Sequence, residues 1–267
     1  MEIPLMSIEG KEKGKIALPK QFEEPIRPDL IKRAVEAILS NNRQPYGADP
    51  RAGKKAAAKL SRRRRRFKSS YGRGISRVPR KTLMRRGEQF LFVGAFAPGT
   101  VGGRRAHPPK AEKVFCQKIN KVERRKAIRS ALAATMSREH VASRGHKVFE
   151  KYPFAVVNDL EQLAETKKVY ESLKALGFEE EFERTAVHRI RAGKGKARGR
   201  RLKKSCGLLI VVSGKCPLSR AARNIPGVDV IEARNLNAHL LAPGGKPGRL
   251  SLFTEGAIKA IAGGLFR

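Results

Sequence analysis

Between positions 51 and 110 the chain places 19 Lys or Arg residues and a single acid, Glu88. Residues 187–204 add nine cations and no acid. Together these two segments carry 27 of the formal net charge of +35, and the other 189 residues carry +8. Like charge at this density repels itself and needs a polyanion to neutralise it, and nucleic-acid backbone is the natural one. In the first segment the candidate phosphate contacts are Arg51, Lys54, Lys55, the run Arg62, Arg63, Arg64, Arg65 and Arg66, then Lys68, Arg73, Arg77, Arg80, Arg85, Arg86, Arg104 and Arg105, with His107 beside them. In the second they are Arg191, Lys194, Lys196, Arg198, Arg200 and Arg201, which alternate with Ala and Gly. Glycine lets a backbone approach phosphate closely, and the guanidinium fork pairs two oxygens at once. Phe67 and Tyr71 bring rings into the same chemistry, so bases can stack there. On composition alone, a basic linker without a fixed site remains the alternative.

Acid–base and metal chemistry find less support. The histidines (His107, His140, His146, His188 and His239) have no metal-binding spacing, and we read His140 and His146 as solvated or RNA-facing. The run Glu179, Glu180 and Glu181 reads as a solvated helix end. Ser213, Gly214 and Lys215 follow an apolar run as a phosphate-binding loop would, but Cys216 replaces the hydroxyl that would hold Mg²⁺. Gly193 to Lys196 also lacks that hydroxyl. No cofactor, metal or catalytic residue is expected. Cys116, Cys206 and Cys216 are an odd count without a CxxC, which suits free thiols in a reducing compartment.

The chain has 40% hydrophobic residues and no Trp, so its core must be largely aliphatic. The sequence pI is about 11.0, in the range of nucleic-acid binders. The N-terminus lacks the apolar stretch of a signal peptide, and the longest apolar run, residues 207–212, is too short to span a membrane. A cytoplasmic protein without membrane contact or self-association is the expectation.

The elements that would position the cations fall into two kinds. Residues 1–20 read as a hairpin turning at Gly10. Pro28 and Asp29 open a helix with the stripe Leu30, Ile31, Ala34, Val35, Ile38 and Leu39. Asn120 with Glu123 reads as a capping box, and residues 154–157 as a strand. Asp159 and Gln162 are expected to cap a helix with Leu163, Tyr170, Leu173 and Leu176 inside, closed by Gly177. Residues 208–212 read as a buried strand covered on both faces, residues 229–232 as another strand after the turn Asn224-Ile225-Pro226-Gly227, and residues 254–262 as a last helix. Alternating strands and helices predict a layered α/β/α body with a mostly parallel sheet, built from residues 1–44 and 111–267. Across residues 45–110 the periodicity mostly vanishes, apart from an apolar island at 90–96. Such a stretch inside a compact domain is functional or disordered. We read it as a long, basic, irregular extension.

At several of these points the chain resembles a known family. The carrying stretches are Gln44-Pro45-Tyr46-Gly47-Ala48-Asp49-Pro50, Gly72-Arg73-Gly74 through Val78-Pro79-Arg80, and Gly102-Gly103-Arg104-Arg105-Ala106-His107-Pro108-Pro109. Ser130-Ala131-Leu132-Ala133-Ala134-Thr135, Arg191-Ala192-Gly193-Lys194-Gly195-Lys196, Arg223-Asn224-Ile225-Pro226-Gly227 and Leu241-Ala242-Pro243-Gly244-Gly245 follow in order. The chain is similar to large-subunit ribosomal protein four in its archaeal and eukaryotic form. The resemblance implies a structural, non-enzymatic constituent of the large ribosomal subunit that binds its RNA and aids assembly. It also implies that the 45–110 loop lines the nascent-peptide exit tunnel, with ribosomal protein twenty-two as neighbour and the nascent peptide as passing partner. By motif position the loop tip is Phe67, Lys68, Ser69, Ser70, Tyr71, Gly72, Arg73 and Gly74. The chain departs from the family before that tip, where it has Leu60, Ser61 and five arginines in place of a tryptophan-containing stretch. The rival readings are an architectural DNA binder of the chromatin type and an RNA-processing factor.

Overall fold

The computed structural model describes residues 1–51, 63–65, 70–72, 74–87 and 89–266. The candidate phosphate contacts Lys54, Lys55, Arg62, Arg66, Lys68 and Arg73 and the expected tip residues Phe67 and Ser69 lie outside the described residues. The chain divides into two compact units, one of Met1–Asn41 with Cys116–Arg267 and one of Asn42–Phe115. In chain order the first elements are strands β1 (Glu2–Met6) and β2 (Glu12–Ala17) and helix α1 (Pro28–Asn41). The second unit contributes β3 (Arg80–Arg86) and β4 (Gln89–Gly94). Then come α2 (Lys121–Met136), α3 (Arg138–Ser143), β5 (Ala155–Val156), α4 (Thr166–Ala175), α5 (Glu179–Ala186), β6 (Arg189–Ile190) and β7 (Leu202–Lys203). The chain closes with β8 (Leu209–Val212), α6 (Leu218–Ala221), β9 (Asp229–Glu232), α7 (Ala238–Leu241), β10 (Ser251–Thr254) and α8 (Glu255–Ala262).

Among the described residues, six strands of the first unit form one sheet in the order β2-β1-β5-β10-β8-β9. All its pairings are parallel except β1 with β2. β8 reads Leu-Ile-Val-Val, and all four residues are buried because helices cover both faces of the sheet. Side chains alternate across it. Leu209, Val211, Ala155 and Phe253 pack with α1, α2, α7 and α8 on one face. Ile210, Val212, Val156 and Leu252 pack with Val141 of α3 and with α4, α5 and α6 on the other. The layered α/β/α body with a mostly parallel sheet is therefore as expected. The β1–β2 hairpin turns at Gly10, whose φ is +80°, and a Cβ there would sit 2.6 Å from the Ala175 carbonyl oxygen. β2 forms one edge of the sheet with Glu12, Lys13 and Lys15 exposed, a charge pattern that discourages pairing with another chain.

Several local expectations need correction. The Asn120 side chain makes no capping hydrogen bond to α2, and Glu123 instead pairs with Arg33 of α1 at 2.7 Å. An ion pair between two packed helices displaces the local cap. The strand expected at 154–157 is regular only over Ala155 and Val156, and the Val157 amide still donates to the Met6 oxygen of β1 at 3.1 Å. The helix expected from Asp159 is broken: a 3-10 turn spans Asn158–Gln162, Leu163 is extended, and α4 starts at Thr166. The cause is Glu161, whose carboxylate accepts from the Ser213 amide (2.8 Å), the Ser213 hydroxyl (2.6 Å) and the Thr254 hydroxyl (2.6 Å). This fastens the segment across the carboxyl ends of β8 and β10. Finally, the 45–110 stretch is not irregular throughout, because β3 and β4 pair as an antiparallel hairpin. A register shift between Thr82 and Met84 hides the strand alternation in the sequence.

Candidate nucleic-acid interface

In the second unit the hairpin presents cations and bare apolar side chains together. Arg85 and Arg86 are exposed, as are Leu83, Met84, Leu91 and Val93. Arg80 bonds back to Ser76, through both its carbonyl and its hydroxyl. The Arg77 guanidinium lies 4.5 Å from the centre of the Tyr71 ring, so that cation and that ring already form one unit. Arg51, Arg63, Arg64, Arg65, Arg105 and His107 are exposed, Arg104 is half-buried, and Ser70 is buried. Gly103 is held where a Cβ would lie 2.1 Å from the Ala97 oxygen, and the Thr100 hydroxyl sits 2.7 Å from that same oxygen. This loop delivers Arg104 and Arg105 to a cleft of about 890 Å³ lined also by Phe96, Lys110 and Glu112. The unit thus offers cationic rims around apolar surface, with a fixed backbone beneath.

The second cationic segment belongs to the first unit and is also built. β6 pairs with β7 antiparallel, Arg189 opposite Lys203 and Ile190 opposite Leu202. Between them the backbone satisfies itself: Arg191 N–H donates to the Arg201 oxygen (2.8 Å), Lys196 N–H to Gly193 (3.2 Å), and the Arg198 and Arg200 amides to Gly195 (3.2 and 3.1 Å). Gly193 and Gly199 both take φ of +75°, the left-handed turn conformation that glycine adopts without strain. Lys194, Lys196, Arg198, Arg200 and Arg201 all point outward, and among the described residues none of them forms an ion pair. A flexible linker would not close such turns. At its foot lies a cleft of about 460 Å³ where His188, Lys204 and Arg223 converge. Arg223, quoted above only within a family-like stretch, is not among the contacts expected from charge, since it lies outside both cationic segments and only the fold brings it beside Lys204.

Other polar groups turn out to be structural. His146 is buried, not solvated, and its Nδ1–H donates to Glu181 at 2.7 Å. Glu181 is 1% exposed and also accepts from Arg184 (2.7 Å) and the Lys147 amide (3.1 Å). Burial pulls the His146 pKa below 6.5, so the imidazole is neutral near pH 7. Burial alone would raise the Glu181 pKa, but the bonds from Arg184 and His146 outweigh it and hold it below 4.5. Arg249 is equally enclosed: Nε donates to Gly207 (2.9 Å), Nη1 to Leu240 (3.1 Å), and Nη2 pairs with Asp229. These cations and acids are spent inside the fold.

An α/β enzyme would carry its ligand beyond the carboxyl ends of the strands. There, the Glu161 carboxylate is already satisfied by Ser213 and Thr254. A neighbouring cleft of about 830 Å³ is lined by Lys215, Cys216, Arg220, Glu232 and Asn235. Burial pushes the Cys216 thiol up, which keeps it protonated and a poor nucleophile. Among the described residues no group of His, Cys, Asp and Glu side chains could hold a metal ion, and no helix is long and apolar enough to cross a membrane.

Comparison with known proteins identifies relatives along nearly the whole chain. The sequence profile described as the ribosomal protein L4/L1 family matches residues 16–264. The large ribosomal subunit protein uL4 of Nanoarchaeum equitans is 51% identical over 262 residues, covering 98% of this chain and 97% of the relative. The protein of the same name from Methanopyrus kandleri is 44% identical over 266 residues, with 98% of both chains covered. That of Halobacterium salinarum is 42% identical over 265 residues, with 98% and 99% covered.

Proposed function

Because the chain belongs to the ribosomal protein L4/L1 family, we propose that it is a structural, non-enzymatic constituent of the large ribosomal subunit that holds ribosomal RNA. The observation that carries the reading is the outward set Lys194, Lys196, Arg198, Arg200 and Arg201, held without acids on a self-satisfied turn. Such a set meets successive phosphates at little ordering cost, and the released counterions drive binding. Ribosome association in the cytoplasm follows from that role.

The second unit has the finer role in this reading. Its 45–110 loop threads into ribosomal RNA during assembly and lines the nascent-peptide exit tunnel, with its tip at residues 67–74. Exposed Leu83, Met84, Leu91 and Val93 support this, since they gain burial only against a partner. The neighbours there are ribosomal protein twenty-two and the passing nascent chain. The test is a photo-crosslinking phenylalanine analogue in place of the half-buried Tyr71, placed in ribosomes stalled on a labelled nascent chain. A crosslink to that chain is expected. Crosslinks to RNA alone, with the subunit intact, would remove the tunnel role and leave the RNA-binding one.

A further inference from the structure

The second unit begins and ends in two arms that lie side by side. The Ala48 amide donates to the Pro109 oxygen at 2.9 Å, and Gly47 approaches Ala111 so closely that a Cβ would sit 2.5 Å from its amide nitrogen. This clasp fixes Tyr46 on one arm against Phe115 on the other, with ring centres 6.2 Å apart and planes 8° from parallel. Two cations attend the pair: the Arg43 guanidinium lies 4.1 Å from the centre of the Phe115 ring, and the Lys113 ammonium 5.6 Å from it.

Among the described residues, the pair differs from the aromatic contacts of the first unit. Tyr152 is buried in the core, and Tyr170 stacks on Phe182, which is itself buried. Tyr46 is 57% exposed, the most open tyrosine of the chain. Its stack buries little apolar area, so the gain in stability from it is small. A flat ring held open to solvent, on a rigid clasp with two cations, has the makings of a single-stranded nucleic-acid platform. There, aromatic faces take bases and cations take the flanking phosphates.

We propose that this clasp is a nucleobase-stacking site, in which an unpaired RNA base lies on the Tyr46 ring and the phosphates beside it meet Arg43 and Lys113. The site rests on the RNA-binding reading above and adds to it a contact that depends on the base and not on charge. Stacking tolerates any base but requires one, which separates it from the cationic turn at 191–201.

The experiment compares a ten-nucleotide oligoadenylate with an abasic ribose-phosphate oligomer of equal length, at matched salt, on the full chain. The variants are Tyr46→Leu and Tyr46→Phe, with circular dichroism to check folding. Wild type and Tyr46→Phe should favour the base-bearing oligomer. Tyr46→Leu should lose about fivefold or more of that affinity, with its affinity for the abasic oligomer unchanged. If Tyr46→Leu keeps the full preference, or if wild type binds both oligomers equally, the stacking site is wrong and RNA binding stands. If wild type binds neither, both readings fall.

Discussion

The two units solve opposite problems with similar residues. In the first, Leu209, Ile210, Val211 and Val212 of β8 are all buried, with helices on both sides. In the second, Leu83, Met84, Leu91 and Val93 stand on a two-stranded hairpin and stay exposed. The first unit obtains its stability from its own packing. Among its described residues the second buries few apolar side chains, and its cations need an outside polyanion. The difference teaches where each kind of substitution should register: in folding for the body, in RNA association for the hairpin unit.

The largest effect on folding should come from the body. Phe253 is fully buried and meets Phe22 edge-on at 5.4 Å. Phe253→Ala should cost about 3–5 kcal/mol in denaturant unfolding, with the salt dependence of RNA binding unchanged for the folded fraction. A loss below about 1 kcal/mol would break the contrast from the body's side. Next, replacing Arg198, Arg200 and Arg201 together by Ala should lower the log–log salt slope of RNA binding by about 2–3 and leave the melting temperature alone. An unchanged slope would mean that this turn does not touch phosphate.

A smaller, pH-dependent effect comes from His146. Its folded pKa is below 6.5, so the unfolded chain binds more protons in that range and stability falls as pH drops through 6.5. Glu181 is also lowered, and its contribution is lost only below 4.5. Thermal melts of His146→Gln should lack the first decline and keep the second. A wild-type melting temperature flat between pH 7 and 5 would contradict the buried neutral imidazole. The smallest effect belongs to the hairpin. Leu91→Ser should change stability by less than about 0.5 kcal/mol and impair incorporation into the subunit instead. Unfolding by that substitution would show that the hairpin face is packed in the free protein.

The body was largely legible in the sequence. β8 was readable because a buried parallel strand leaves an unbroken apolar run, β9 because the turn Asn224-Ile225-Pro226-Gly227 precedes it, and α1 because its stripe is regular. The β3–β4 hairpin was not, since its bulge sets Leu83 and Met84 side by side and cancels the alternation. Two-residue ladders such as β6–β7 carry no period at all. Arg249 gave no signal, as a buried arginine reads like any surface one. Glu181 did leave one: Phe178, Glu181, Phe182 and Thr185 follow helical spacing on a single buried face. The acid run around it hid that stripe. In the candidate interface, the two charge concentrations were evident from counting alone. The clasp of Tyr46 and Phe115 was not, because its partners stand 69 positions apart.

The most direct test of the central claim is sedimentation of a cell extract through a density gradient at low and at high monovalent salt, with this chain followed by antibody. The account predicts co-sedimentation with the large ribosomal subunit in both, because a threaded, partly apolar contact outlasts the screening of charge. Release into the light fractions at high salt would contradict it, and would mark the chain as a peripheral electrostatic binder.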